Sequence, residues 1–163
     1  MEQHVEIREA NGSDIDAILA FDSIARHEQA RARFIKNSVH DGTAHVAVRR
    51  NTPVGYAVLE HSFFGRGFVS MLYVHPQHRR QGIATALLRH LEQICQSPRL
   101  FVSTNESNAK MRDLLATAGY KQSGKVEDLD PGDPEIFYSK QLRNAVSVRC
   151  PRSASQHGCG THD

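Results

Sequence analysis

The stretch Met71-Leu-Tyr-Val-His-Pro-Gln-His-Arg-Arg-Gln-Gly-Ile-Ala84 concentrates the residue types and spacing that could do chemistry. An apolar run leads into a proline turn, two arginines, and a glycine that opens a long helical pattern. Backbone N–H groups at a helix start point outward, and the helix dipole adds about half a positive charge there. Gly82 lets backbone approach a phosphate closely, Ala84 keeps the next turn uncrowded, and Arg79 and Arg80 add mobile positive charge. The chemistry is anion binding; the bland alternative is an ordinary strand-to-helix turn with solvated arginines. The nucleotide-loop patterns G-x-x-x-x-G-K-[ST] and G-x-G-x-x-G are absent. The 10 histidines are scattered at no metal-ligand spacing, so no metal site is expected.

The elements that must position this stretch follow from periodicity. Val5–Glu9 alternates as a strand, and Ser13-Asp-Ile-Asp16 reads as a helix start with a hydroxyl cap and acids in its first turn. A second helical stretch covers 27–36 and reads as a surface helix. Ala44–Arg49, Val54–His61 and Phe68–Val74 form three strands joined by short turns, an antiparallel meander. From Gly82 to Cys95 the apolar positions follow the 3, 4, 7 spacing of an amphipathic helix, stopped at Ser97-Pro98. Leu100–Ser103 is then a strand parallel to the Phe68 strand, because a crossover helix separates them. Met111, Leu114, Leu115 and Ala118 mark a further helix closed by Gly119. Tyr120–Val126 and Glu135–Leu142 are final strands, joined by an acidic loop at 127–134.

Composition bounds the function classes. At 163 residues and a net charge of +2 the chain reads as one domain, and nothing in the charge argues for nucleic acid or a membrane surface. The charge itself comes from the last 21 residues, where Arg143, Arg149 and Arg152 stand against Asp163. Residues 143–163 lack large apolar side chains and are expected to be a disordered tail. No apolar run reaches the roughly 18 residues of a spanning helix, and no secretory signal is visible. Cys95, Cys150 and Cys159 fit neither a disulfide framework nor a zinc site. A cytoplasmic location is expected.

The segment V-H-P-Q-H-R-R-Q-G-I-A resembles motif A of the GNAT superfamily of N-acetyltransferases, whose core R/Q-x-x-G-x-G/A stands here as Arg79-Arg-Gln-Gly82-Ile-Ala84. Asn108 to Gly119, followed by Tyr120, resembles the family's motif B, N-x10-G-[FY]. The resemblance implies a single α/β (α+β) domain over residues 1–142. It would have a mixed sheet of about seven strands with a splayed parallel pair, flanked by about four helices. It implies acetyl-CoA as co-substrate, with pantetheine along Leu72 and Val74 and Asn105 and Asn108 nearby. Pyrophosphate would lie on the N–H groups of Arg80, Gln81, Gly82, Ile83, Ala84 and Thr85, with Arg79 beside it. The acceptor would be a primary amine of a small molecule or a peptide, and a homodimer is left open.

The sequence departs from the family at one position. Many members carry a Tyr seven residues after the motif-B Asn, donating a proton to the leaving thiolate; Leu115 stands there. Tyr138, Tyr73 and Tyr120 are substitutes to weigh against ordinary strand aromatics. Candidate bases are Glu60 and His61, of which at most one faces inward, and His75 beyond Val74. Two readings stay open: a direct-transfer N-acetyltransferase, or a non-catalytic acyl-CoA-binding module that has lost its general acid.

Overall fold

Strand alternation and helical periodicity build one seven-stranded sheet with helices on both faces. The structure, a computed structural model, describes residues 4–142; the expected tail lies outside the described residues. The strands are β1 (Glu6–Glu9), β2 (Ala44–Arg49), β3 (Thr52–Phe63), β4 (Arg66–Val74), β5 (Arg99–Asn105), β6 (Lys121–Val126) and β7 (Glu135–Gln141). The helices are α1 (Ile15–Phe21), α2 (Gln29–His40), α3 (Ile83–Ile94) and α4 (Ala109–Thr117). The spatial order is β1-β2-β3-β4-β5-β7-β6, antiparallel throughout except for β4 against β5. The mixed α/β sheet expected from the motifs is therefore present.

Two cores lie on opposite faces. On one, Leu87, Leu88 and Leu91 of α3 and Leu115 of α4 pack on Ala57, Leu59, Val69, Leu100 and Ile136. Close approach is needed where α3 crosses β3: a Cβ added to Gly55 would lie 3.1 Å from Ile83 and 3.2 Å from the Tyr73 carbonyl. On the other face, α1 and α2 bury Ile18, Phe21, Ile35 and Val39 against Val46, Tyr56 and Val58. That packing explains why α2 runs on to His40 instead of ending at Lys36 on the surface. Its last turn carries Val39, which the second core needs.

Local chemistry also moved one boundary. Asn11, not Ser13, caps the first turn, because Asn11 accepts from the Ser13 N–H at 3.0 Å and Asp14 closes a capping box. The Arg8 guanidinium, donating to Asp14 at 2.8 Å, holds that carboxyl below the usual carboxylate range. Strand β6 is exposed along its length and forms the far edge, where Lys121 and Lys125 discourage further pairing.

Candidate active site

Strands β4 and β5 stay paired for only three steps, Gly67 with Leu100, Phe68 with Phe101 and Val69 with Val102. The cause lies on β4. There the register with β3 slips, Leu59 facing Val69 and Val58 facing Met71, so Ser70 bulges out without a partner. Beyond this point the strands part. A cleft of about 1000 Å³ opens between Val69–Val74 on one side and Val102–Asn105 on the other. Met111 and Leu114 of α4 line it, and the start of α3 closes its outer end.

The outer end is built from backbone. Arg80 (φ 59°) and Gly82 (φ 77°) both adopt left-handed conformations, so the loop is a concave turn of the kind that gathers N–H groups around an anion. No side chain caps α3, and the first-turn N–H groups of Ile83, Ala84 and Thr85 have no intrahelical acceptor. A Cβ built on Gly82 meets no atom within 4 Å, which leaves open space above the cradle. Arg79 is held by its Nε donating to the Val74 carbonyl at 3.1 Å, and its guanidinium lies 5.3 Å from the Tyr73 ring centre. Arg31 approaches that ring at the same distance.

Most residues expected to bind the co-substrate converge here. Leu72, Val74, Arg79, Arg80, Gly82, Ile83, Ala84, Thr85, Asn105 and Asn108 all line the cleft. Gln81 does not, because its side chain turns away to accept from Arg49. Asn108 also caps α4, its Oδ1 accepting from the Met111 N–H at 3.2 Å. Asn105 donates to Asp130 at 2.8 Å and so ties β5 to the acidic loop.

The four candidate acid–base residues do not converge, and none lines the cleft. His61 faces α3, where its Nε2 accepts from the Gln96 N–H at 3.0 Å, so its lone pair is occupied. Tyr138 is buried beneath α4, its hydroxyl accepting from Arg112 Nε at 3.1 Å. His75 lies beyond the wrong end of β4, roughly 16 Å from Ser70 at about 3.3 Å per residue. Its Nδ1 caps the turn at Gln77. Glu60 pairs with Phe68 and so shares the closed end of the cleft, on the face opposite α3. Strand-end position was the only signal for Glu60, His61 and His75, and a phenol to replace the Tyr missing at Leu115 the only one for Tyr138; neither could assign a face or an end.

Sequence reasoning passed over Ser70. Its hydroxyl is buried and has no hydrogen-bond partner, and it stands where the strands separate. The one available signal was a lone polar residue within the apolar run Val69–Leu72. Arg31, Lys110, Ser103 and Glu135 also line the cleft, and only the fold brings them there. Tyr73 lines the cleft, its hydroxyl 3.1 Å from Ser23 Oγ, whereas Tyr120 lies outside it and donates to Glu92 at 3.0 Å.

The Acetyltransferase (GNAT) family profile matches residues 13–120, which spans the bulged strand, the cradle and both motifs. The chain belongs to the GNAT family. A Bacillus cereus GNAT acetyltransferase is 32% identical, with a TM-score of 0.80 over 85% of this chain and 97% of that one. A Salmonella typhimurium protein solved with acetyl-CoA as its cofactor shares the fold at 22% identity and a TM-score of 0.69, covering 90% and 99%. Over 65 residues the chain is 35% identical to the human cysteine-rich protein 2-binding protein, covering 40% of this chain and 8% of that protein. It thus spans under a tenth of that curated relative's length. Among the described residues of this GNAT-family chain no helix is long and apolar enough to cross a membrane.

Proposed function

We propose that residues 1–142 form an acetyl-CoA-dependent N-acetyltransferase acting on a primary amine of a small molecule or protein in the cytoplasm. The observation that carries this reading is the parting of β4 from β5 with an uncapped helix cradle at the open end. An extended pantetheine arm fits along the free β4 edge at Leu72 and Val74, where unpaired strand groups accept a further strand. Pyrophosphate fits the N–H groups from Arg80 to Thr85, and Arg31, Arg79, Arg80 and Lys110 supply charge to the same cleft. The co-substrate brings the activated acetyl thioester.

The chain's own groups then act at the closed end. Ser70 Oγ and the bulged backbone N–H groups donate to the thioester oxygen as charge develops on it. Glu60, opposite Phe68, takes the ammonium proton through water, because an ordinary amine is mostly protonated at pH 7. A thiol-release assay with acetyl-CoA across an amine panel tests the activity. Gly82→Glu sets a carboxylate in the cradle and forces a side chain into a left-handed conformation. It is expected to abolish CoA binding while the far-ultraviolet spectrum is unchanged; unaltered affinity sinks the assignment.

One observation favours the acyl-CoA-binding module as a second reading. Leu115, where the family's Tyr would stand, is wholly buried in the core, and Tyr138, Tyr120 and His61 are engaged elsewhere. Tight CoA binding without turnover on any amine at any pH decides for the module.

A further inference from the structure

We infer that the acceptor is an apolar amine, a primary amine carrying an aryl or bulky alkyl group. This rests on the acetyltransferase reading above. Helices α1 and α2 cover one face of the sheet over β1–β3 and the outer half of β4, where Met71 and Tyr73 pack against them. On that same face, beside the closed end of the cleft, stand phenylalanines that they leave uncovered. Phe68 and Phe101 are paired across β4 and β5, one step before the strands part. Phe137 stands opposite Ser103 on β7, and its ring lies 6.2 Å from Phe68. Phe63 completes the platform, stacked at 4.8 Å on Phe68 and 5.7 Å on Phe137. All four are half-buried.

Chance does not explain this surface well. Phe64, at the β3–β4 hairpin tip, touches Phe63 edge-on at 5.2 Å and is 88% exposed. It also has a φ of 51°, a conformation that strains a bulky side chain. An exposed phenylalanine joined to four half-buried ones makes a contiguous aromatic patch, the kind of surface at which ligands bind. The platform meets the cleft at Ser103, which pairs with Phe137 and lines the cleft. Helices α3 and α4 cover the opposite face, so a second substrate reaches the closed end from the phenylalanine side.

Charge selects the ligand further. Glu60 on β3 faces Phe68, and Glu135 on β7, two strands beyond β4, lines the cleft, so the platform lies between two carboxylates. An ammonium group is drawn by both carboxylates, while its apolar substituent covers the rings. A second charge on the substituent would have to rest on phenylalanine and lose its hydration. The reaction balances without another reactant. The amine lone pair forms the N–C bond, the C–S pair leaves with sulfur, and the proton lost from nitrogen ends on the thiolate.

The test compares 2-phenylethylamine with putrescine and spermidine at saturating acetyl-CoA. The aryl amine is expected to have a kcat/KM at least about tenfold higher, the order that apolar pocket contacts confer. Phe101→Ala should raise its KM by about tenfold at unchanged CoA affinity, and Phe101→Leu should recover part of the loss; thermal melting checks that both variants fold. Faster turnover of the polyamines overturns the inference and leaves the transferase reading standing. No turnover of any amine with intact CoA binding overturns both. A dimer that Phe64→Ser dissociates, with amine kinetics unchanged, assigns the platform to a second copy and overturns the inference as well.

Discussion

Ser70 is the residue whose environment most separates stability from activity. A buried hydroxyl without a partner carries a desolvation cost of about 1–3 kcal/mol, so removing it helps the folded state. Ser70→Ala is therefore expected to leave melting unchanged or raise it, while kcat falls about 100-fold if Oγ serves the thioester oxygen. Lower stability with full activity would make Ser70 a structural residue. Asp22 is the reverse case. It is fully buried, accepts from Tyr56 at 2.6 Å and Arg31 Nε at 2.9 Å, and caps the Ile24 and Ala25 N–H groups. Burial, and then that carboxylate, push the Tyr56 phenol strongly upward. Asp22→Ala strands the half-buried Arg31 guanidinium and the buried Tyr56 hydroxyl, and should cost about 3 kcal/mol in urea unfolding. It should also weaken acetyl-CoA binding, since Arg31 lines the cleft.

At the scale of elements, the contact between α3 and β2 is set by two histidines. His90 Nε2 lies 3.0 Å from His45 Nδ1, so at least one ring must be neutral to share a proton. Burial lowers the pKa of both, and the charge of His90 adds to the effect on His45. A histidine depressed in the folded state binds its proton more readily when unfolded. Its stabilising contribution is therefore present above about pH 6.5 and is lost as pH falls through the folded value. Melting temperature is expected to drop between pH 7.5 and 5.5, and His90→Gln should flatten that dependence. An unchanged slope in the variant would place the acid sensitivity elsewhere. The helix periods, the meander and the crossover were legible because each element follows its own apolar spacing. The α2 terminus and the Asn11 cap were not, since the first depends on a core formed with β2 and β3, and the second on a carboxylate held by Arg8.

For the whole molecule, ligand binding and folding are linked. A ligand at 100 times its dissociation constant adds about 2.7 kcal/mol. For a domain of this size CoA at that excess should raise the melting temperature by roughly 5–10 °C, and no shift would argue against the cleft as its site. The sequence by itself determined the family, the sheet's composition and the anion cradle. Those features are local: Arg79 to Ala84 are neighbours in the chain, and a strand–turn–helix presents its own N–H groups whatever surrounds it. Only the tertiary structure decided the reactive end. Ser70, Glu60, Phe68, Phe101 and Phe137 come from β3, β4, β5 and β7 and meet through register. Alternation along each strand determines which face each presents, and the slip at the β4 bulge leaves Ser70 without a partner. Moving a strand by a single residue turns its side chains to the other side. That alternation turns Tyr138 toward the α3 and α4 face, and Phe68, Phe101 and Phe137 toward the other.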